Sequence, residues 1–124
     1  MSGSKEVFGG MAGVPLSGAV RAGDYVHVSG QLPFGPDGKL IDGDAGEQTR
    51  AVMERIKSLL EEAGASMDQV VKCTCWLVNV SDFQEFNAVY AEYFPTDPPA
   101  RATVRAELML DALVEVDAIA YSPR

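Results

Sequence analysis

Pro98-Pro99-Ala100-Arg101-Ala102-Thr103-Val104, followed by Val114-Glu115-Val116-Asp117-Ala118-Ile119-Ala120, is the stretch on which the reading of this chain turns. Both runs have strand character. Arg101 follows backbone restricted by two prolines, so its side chain is placed rather than floppy. Its planar fork can hold a carboxylate through two parallel charge-assisted hydrogen bonds. Glu115 lies between Val114 and Val116, and period-two alternation sends it to the face opposite those valines. Taken alone, each residue reads as an ordinary solvated or ion-paired group, as most arginines and glutamates are.

Working outward, Ser17 to Arg21 and Tyr25 to Gly30 flank Ala22-Gly23-Asp24, a spacing that predicts a hairpin. Within the second run Val26 and Val28 face one way, and Tyr25, His27 and Ser29 the other. Phe34-Gly35-Pro36-Asp37-Gly38 is a turn cluster leading into a short hairpin onto Lys39-Leu40. Asp44 with Glu47 three residues on forms a helix cap, and Val52, Ile56, Leu59, Leu60 and Ala63 make an apolar stripe at helical spacing that Gly64 ends. Val71, Cys73, Cys75 and Leu77 alternate as a strand against Lys72, Thr74, Trp76 and Val78. A second helix is expected from near Ser81, with Gln84 as capping partner, burying Phe83, Phe86 and Tyr90 and halting at Pro95.

The last two strands are expected over Arg101 to Met109 and Val114 to Ala120. Ala102, Val104, Ala106 and Leu108 suit a helix-covered core, leaving Arg101, Thr103, Arg105, Glu107 and Met109 on the opposite face. Glu115, Asp117, Ile119 and Tyr121 likewise oppose Val114, Val116, Ala118 and Ala120. Two helices and about six strands make an α+β sandwich, with both helices packed on one face of a single sheet.

The 124 residues, 47% of them hydrophobic, predict one globular domain over 1–124, with no apolar run long enough to span a membrane. Met1-Ser2-Gly3-Ser4-Lys5 lacks the apolar core of an export signal, which makes the cytoplasm the default location. A net charge of −8 and a pI near 4.5 oppose nucleic-acid binding, which needs clustered Lys and Arg. Cys73 and Cys75 fall two apart on one strand, a geometry that disfavours a bridge, and they read as small buried hydrophobes in a reducing compartment. With those two cysteines and a single histidine, His27, a zinc site lacks ligands. His27 itself reads as a half-exposed strand residue. No repeat or linker interrupts the chain, and Gly9-Gly10-Met11-Ala12-Gly13 is a loose approach to the first strand.

Pro99 to Val104, Val114 to Ala120 and Ser29-Gly30-Gln31-Leu32-Pro33 together resemble the RidA/YjgF (Rid) family of enamine and imine deaminases. The similarity extends through the helix Glu47 to Ala63, the strand Val70 to Val78, and Ser81-Asp82-Phe83 leading to Asn87 and Tyr90. The resemblance implies a chorismate-mutase-like fold, a single mixed six-stranded sheet carrying two helices, in a homotrimer that closes a central barrel with sites in the clefts between subunits. It implies that Arg101 grips a substrate carboxylate and that Glu115 positions and activates water. Ser29, Gly30, Asn87 and Thr103 would line the pocket, Thr103 standing where many relatives carry a cysteine. Leu16 stands where deaminating relatives carry a tyrosine. The implied substrate is a short 2-imino or enamine acid, such as that from 2-aminoacrylate, hydrolysed to a 2-keto acid and ammonia without metal or cofactor. A deaminase of a larger unsaturated amino acid such as 2-aminomuconate, a non-catalytic trimer that binds carboxylates, and the RNA cleavage described for some relatives are the alternatives.

A pairing argument bears on assembly. If the last two strands form a hairpin turning near Asp111 and Ala112, Arg101 pairs with about Tyr121, while Glu115 lies beside about Glu107. The two would share a face yet stand on the order of 20 Å apart, so a site using both needs the Glu of a neighbouring chain.

Overall fold

The computed structural model describes residues 4–124; the part of the export-signal reading that falls on Met1, Ser2 and Gly3 lies outside them. Gly23, at a φ of +60°, makes the tight turn that folds β2 (Ala19–Ala22) onto β3 (Tyr25–Gln31), with Ala22 opposite Tyr25. A preceding strand, β1 (Lys5–Phe8), pairs antiparallel with β2 at the sheet edge. Helix α1 (Ala45–Glu62) follows, then β4 (Val70–Leu77), α2 (Phe83–Tyr93), β5 (Ala100–Arg105) and β6 (Val114–Tyr121). The sheet order is β1-β2-β3-β6-β4-β5, antiparallel throughout except for the β4–β5 pair. The expected α+β architecture, one mixed six-stranded sheet with two helices, is therefore present.

Helix α1 begins as its sequence dictates. Glu47 N–H donates to Asp44 Oδ1 at 2.9 Å while Glu47 Oε1 accepts from the Asp44 N–H at 3.1 Å, a reciprocal capping box. Gly64, at φ +85°, lets the chain leave the helix. Val52, Met53, Ile56 and Leu60 are fully buried against Val26, Cys73, Val114, Val116 and Ala120 of the sheet and Phe86 of α2. Cys73 and Cys75 are free and buried in this core, as expected. Phe34 and Leu40 meet only as an isolated bridge, the remnant of the expected short hairpin.

Four expectations are corrected. First, β5 and β6 do not form a hairpin. Strand β4 lies between them, antiparallel to β6 and parallel to β5, because α2 carries the chain back across the sheet and returns β5 in the direction of β4. Second, the faces of β5 are reversed. The parallel register sets Arg101 beside Cys73 and Thr103 beside Cys75, on the helix-covered side, whereas Val104 is 44% exposed on the other. At the sheet edge a charged side chain can cross the helix-covered face and still reach water, which is what permits the reversal. Third, a register shift between Val70 and Lys72 buries Val70 and exposes Val71. Fourth, the Ser81–Gln84 cap does not form: Val80–Asp82 make a 3-10 turn, α2 starts at Phe83, and Phe83 is 40% exposed rather than buried.

A buried arginine joins three distant parts of the chain. Arg21 donates from Nε to the Ala63 carbonyl at 3.0 Å, from Nη1 to the Ser122 carbonyl at 2.8 Å and the Gly23 carbonyl at 3.2 Å, and from Nη2 to Ser122 Oγ at 3.2 Å. It thereby satisfies the C-terminal end of α1 with a cation, where the helix dipole favours one.

Candidate active site

Arg101 stands on the edge strand β5 just after Pro98-Pro99, and α2 packs across it. Phe83, Phe86, Asn87 and Tyr90 recur at three- and four-residue intervals, so they share one face of that helix. The guanidinium carbon lies 5.0 Å from the Tyr90 ring centre and 5.7 Å from those of Phe83 and Phe86, within cation–π range. Its Nη1 donates to Asn87 Oδ1 at 2.9 Å. Among the described residues the ion pairs are Arg50–Glu92 and Arg124–Glu6, so Arg101 has no carboxylate partner. A guanidinium has five N–H donors. One is used here, which leaves the fork open to an anion. Beside it the Thr103 and Tyr90 hydroxyls are buried, with no hydrogen-bond partner among the described residues. Burial pushes the thiols of Cys73 and Cys75 up to about 11 and about 12, so neither supplies a thiolate nucleophile at neutral pH.

Glu115 lies on β6 opposite Trp76 of β4, and its side chain emerges on the face turned away from the helices. The register of β3 on β6 shifts between Val28 and Gln31, and this brings Gly30 under the Glu115 carboxyl. A Cβ at Gly30 would stand 3.1 Å from Glu115 Cδ and collide with Oε2. The absence of a side chain at position 30 is therefore what seats the carboxylate. Burial raises the Glu115 pKa above the usual carboxylate value, and the charge of Asp117 adds to the effect. Asp117 is itself engaged, its Oδ1 accepting from the Thr74 N–H at 2.7 Å. Ser29 is pinned to the preceding loop, Oγ to the Ser17 carbonyl at 2.7 Å and N–H to the Gly18 carbonyl at 2.9 Å. Leu16, half exposed, and Gly30 both line a cavity of about 900 Å³ between the N-terminal loop, the end of β3 and α1.

The named residues thus fall into two groups. Arg101, Asn87 and Thr103 gather at the β5 edge on the helix side; Glu115, Gly30, Ser29 and Leu16 gather around the β3–β6 junction. Arg101 is level with Cys73 and Glu115 with Trp76, three residues apart on β4 and separated by two strand spacings. That is on the order of 14 Å between backbones, with the side chains leaving opposite faces. This corrects the expected shared face and 20 Å separation. No single chain closes both groups on one small molecule.

Composition did not mark the aromatic shelf under Arg101, although the spacing of Phe83, Phe86 and Tyr90 held the signal. Gln31 and Arg55 were also missed: Arg55 Nε donates to Gln31 Oε1 at 3.0 Å and its guanidinium lies 5.4 Å from the Phe34 ring centre, forming part of the cavity wall. His27 is exposed on β3. Among the described residues no cluster of His, Cys, Asp and Glu suits a metal ion, and no helix is long and apolar enough to cross a membrane.

Comparison with known proteins adds a lineage to this geometry. The sequence profile of the family described as Endoribonuclease L-PSP matches residues 11–122. A RutC family protein of Pyrococcus abyssi is 47% identical over 109 residues, spanning 86% of each chain. The crystal structure of yeast Mmf1 is similar with a TM-score of 0.91 at 34% identity, covering 96% of this chain and 99% of that one. The crystal structure of E. coli TdcF with bound serine is similar with a TM-score of 0.84 at 30% identity, covering 93% and 92%.

Proposed function

Because the chain belongs to the YjgF/RidA family, we propose that it is a hydrolytic deaminase of reactive 2-imino and enamine acids, such as those from 2-aminoacrylate, releasing 2-keto acids and ammonia. The observation that carries this reading is Arg101, a guanidinium held by Asn87 over three aromatic rings with no carboxylate of its own among the described residues. Serine bound to TdcF, a small molecule bearing a carboxylate, is consistent with it.

The active unit is a homotrimer, in which Arg101, Asn87 and Thr103 of one subunit meet Glu115, Gly30, Ser29 and Leu16 of the next. What supports assembly is the separation of the two groups within one chain and their opposite faces, which a cyclic, heterologous interface reconciles. Arg101 binds the substrate carboxylate through two N–H bonds and so fixes C2 of the imine. Glu115 accepts a proton from water as the water oxygen adds to C2, and the same proton is passed on to the imine nitrogen, which regenerates the carboxylate and leaves a neutral carbinolamine. Proton transfer from the new hydroxyl to nitrogen then lets the C2–N bond break with its electron pair on ammonia, leaving the C2 carbonyl. The imine carbon is already electrophilic, so a held carboxylate, an oriented water and one proton relay suffice.

The cytoplasm is the proposed compartment, in keeping with two free thiols. RNA cleavage is disfavoured, because a net charge of −8 opposes the binding of phosphates. The deciding experiment generates the imine in situ and follows keto-acid release with the wild type and with Arg101→Ala. A fall of at least a hundredfold is expected for the variant; equal rates reject the assignment.

A further inference from the structure

Gln31 lies on the face of β3 that strict alternation denies it. Val26 and Val28 are buried toward the helices, so an unbroken period of two would turn position 30 inward and Gln31 outward. Instead Gln31 is only 5% exposed, and Gly30 lies against the Glu115 carboxyl, which leaves the other face of the sheet. The register shift inverts the two. Val28 pairs with Ala118 and Gln31 with Val116, so Ser29 and Gly30 together stand opposite Asp117. In a straight register continued from the Val28–Ala118 pair, position 31 would meet Glu115 itself, placing a side chain where the carboxylate now rests.

Both ends of this bulge are tied by side chains. Before it, Ser29 is fixed at three atoms: Oγ donates to the Ser17 carbonyl at 2.7 Å, N–H to the Gly18 carbonyl at 2.9 Å, and its own carbonyl accepts from Gln31 Nε2 at 3.0 Å. After it, Gln31 Oε1 accepts from Arg55 Nε of α1 at 3.0 Å, and the Arg55 guanidinium is braced 5.4 Å from the Phe34 ring centre. A buried amide persists only when its polar atoms find such partners. Turning Gln31 to the other face would break both of its bonds, so the pair of bonds favours the bulged register over the straight one. The influence on Glu115 passes through the backbone of one residue, Gly30, and requires no contact between the carboxyl and either Gln31 or Arg55.

We infer that Gln31 and Arg55 are positioning residues for Glu115, holding from the helix side the bulge that sets Gly30 beneath the carboxyl on the other. The inference rests on the deaminase reading for its kinetic readout and on the register of β3 for its substance. Misplacing a reacting group by about 1 Å can cost on the order of a hundredfold in rate, so loss of the strap is expected to appear in turnover rather than in carboxylate binding, which belongs to Arg101.

The test compares the full-length wild type with Gln31→Met, which keeps the shape of the side chain without its polar atoms, and with Arg55→Ala and Arg55→Lys. On the alanine-derived imine generated in situ by an amino-acid oxidase, kcat is expected to fall at least tenfold in Gln31→Met and Arg55→Ala, and Arg55→Lys, which keeps a cationic donor, to recover threefold or more over Arg55→Ala. The Kd for pyruvate, measured by calorimetry, should stay within twofold. A second readout needs no turnover: carbon-13 NMR titration of the Glu115 carboxyl, whose pKa is raised by burial and then by Asp117. In Gln31→Met its midpoint should drop by about 0.5 or more toward the ordinary glutamate value of about 4.3, while Asp117 remains bonded to the Thr74 N–H. Unchanged kcat, an unchanged midpoint, or a loss of pyruvate affinity as large as the loss of kcat overturns the inference, whatever happens to the melting temperature. If the wild type turns over no imine, the deaminase reading fails and the titration decides alone: a lowered midpoint sustains the positioning role and an unmoved one rejects it. Should Arg55→Ala fail to fold, Gln31→Met decides by the same criteria.

Discussion

At the scale of single residues, the proposed chemistry depends on two placements that have opposite origins. Arg101 is held from outside, by an amide acceptor and an aromatic shelf on a neighbouring helix; Glu115 is admitted by an absence, the missing Cβ of Gly30. Gly30→Ala is expected to leave the fold intact, because the colliding atoms are the far end of a flexible side chain. Turnover should nonetheless fall at least tenfold as the carboxylate swings away, and steady-state kinetics beside a circular dichroism spectrum checks both halves of this. The raised pKa of Glu115 sets a pH dependence. Water activation needs the ionised form, so activity rises with pH through a midpoint above the ordinary glutamate value of about 4.3. The linked stability has the reverse sign: it is fully present below the unfolded-state pKa and is lost as pH rises through the higher folded-state value. Glu115→Gln should therefore melt higher than wild type at pH 7 while losing turnover, and the gain in melting temperature should vanish near pH 4.

At the scale of elements, local signals and long-range pairing divide the molecule. Helix α1 has its start written into Asp44 and Glu47, and Asp44→Ala should cost about 1 kcal/mol of stability in chemical denaturation without altering kcat. That helix, its glycine stop and the β2–β3 hairpin were legible because each is fixed by residues a few positions apart. The neighbour of β6 was not. Alternation in Val114–Tyr121 shows which residues face the core, but Cys73, Cys75 and Leu77 on β4 offer the same alternation as β5, and only the crossover through α2 decides which strand lies alongside. The faces of β5 were misread for the same reason: its small residues alternate with charged ones, and at a covered edge it is the arginine that crosses the helix side. Strand β1 escaped notice because four residues, three of them exposed, carry no apolar periodicity. Arg101 and Glu115 read as ordinary surface groups by type alone and were singled out by the family resemblance of their motifs, whereas the seating of Glu115 over Gly30 arises from a register shift that no pattern of alternation contains.

At the scale of the whole molecule, the proposed sharing of Arg101 and Glu115 between two subunits would make association a condition of activity. Arg101→Ala and Glu115→Gln chains should each be inactive alone. Unfolded together in equal amounts and refolded, they should recover about a quarter of wild-type turnover, since half the subunits supply the arginine and half of their neighbours the carboxylate. No recovery from mixed trimers would place both groups in one chain's site and refute the division. The Arg21 clasp bears on the scaffold of the chain itself. Its acceptors are amide carbonyls and a hydroxyl, none of which gains a proton in mild acid, so the seam between the first hairpin, the long helix and the tail is deaf to the very change in acidity that silences Glu115.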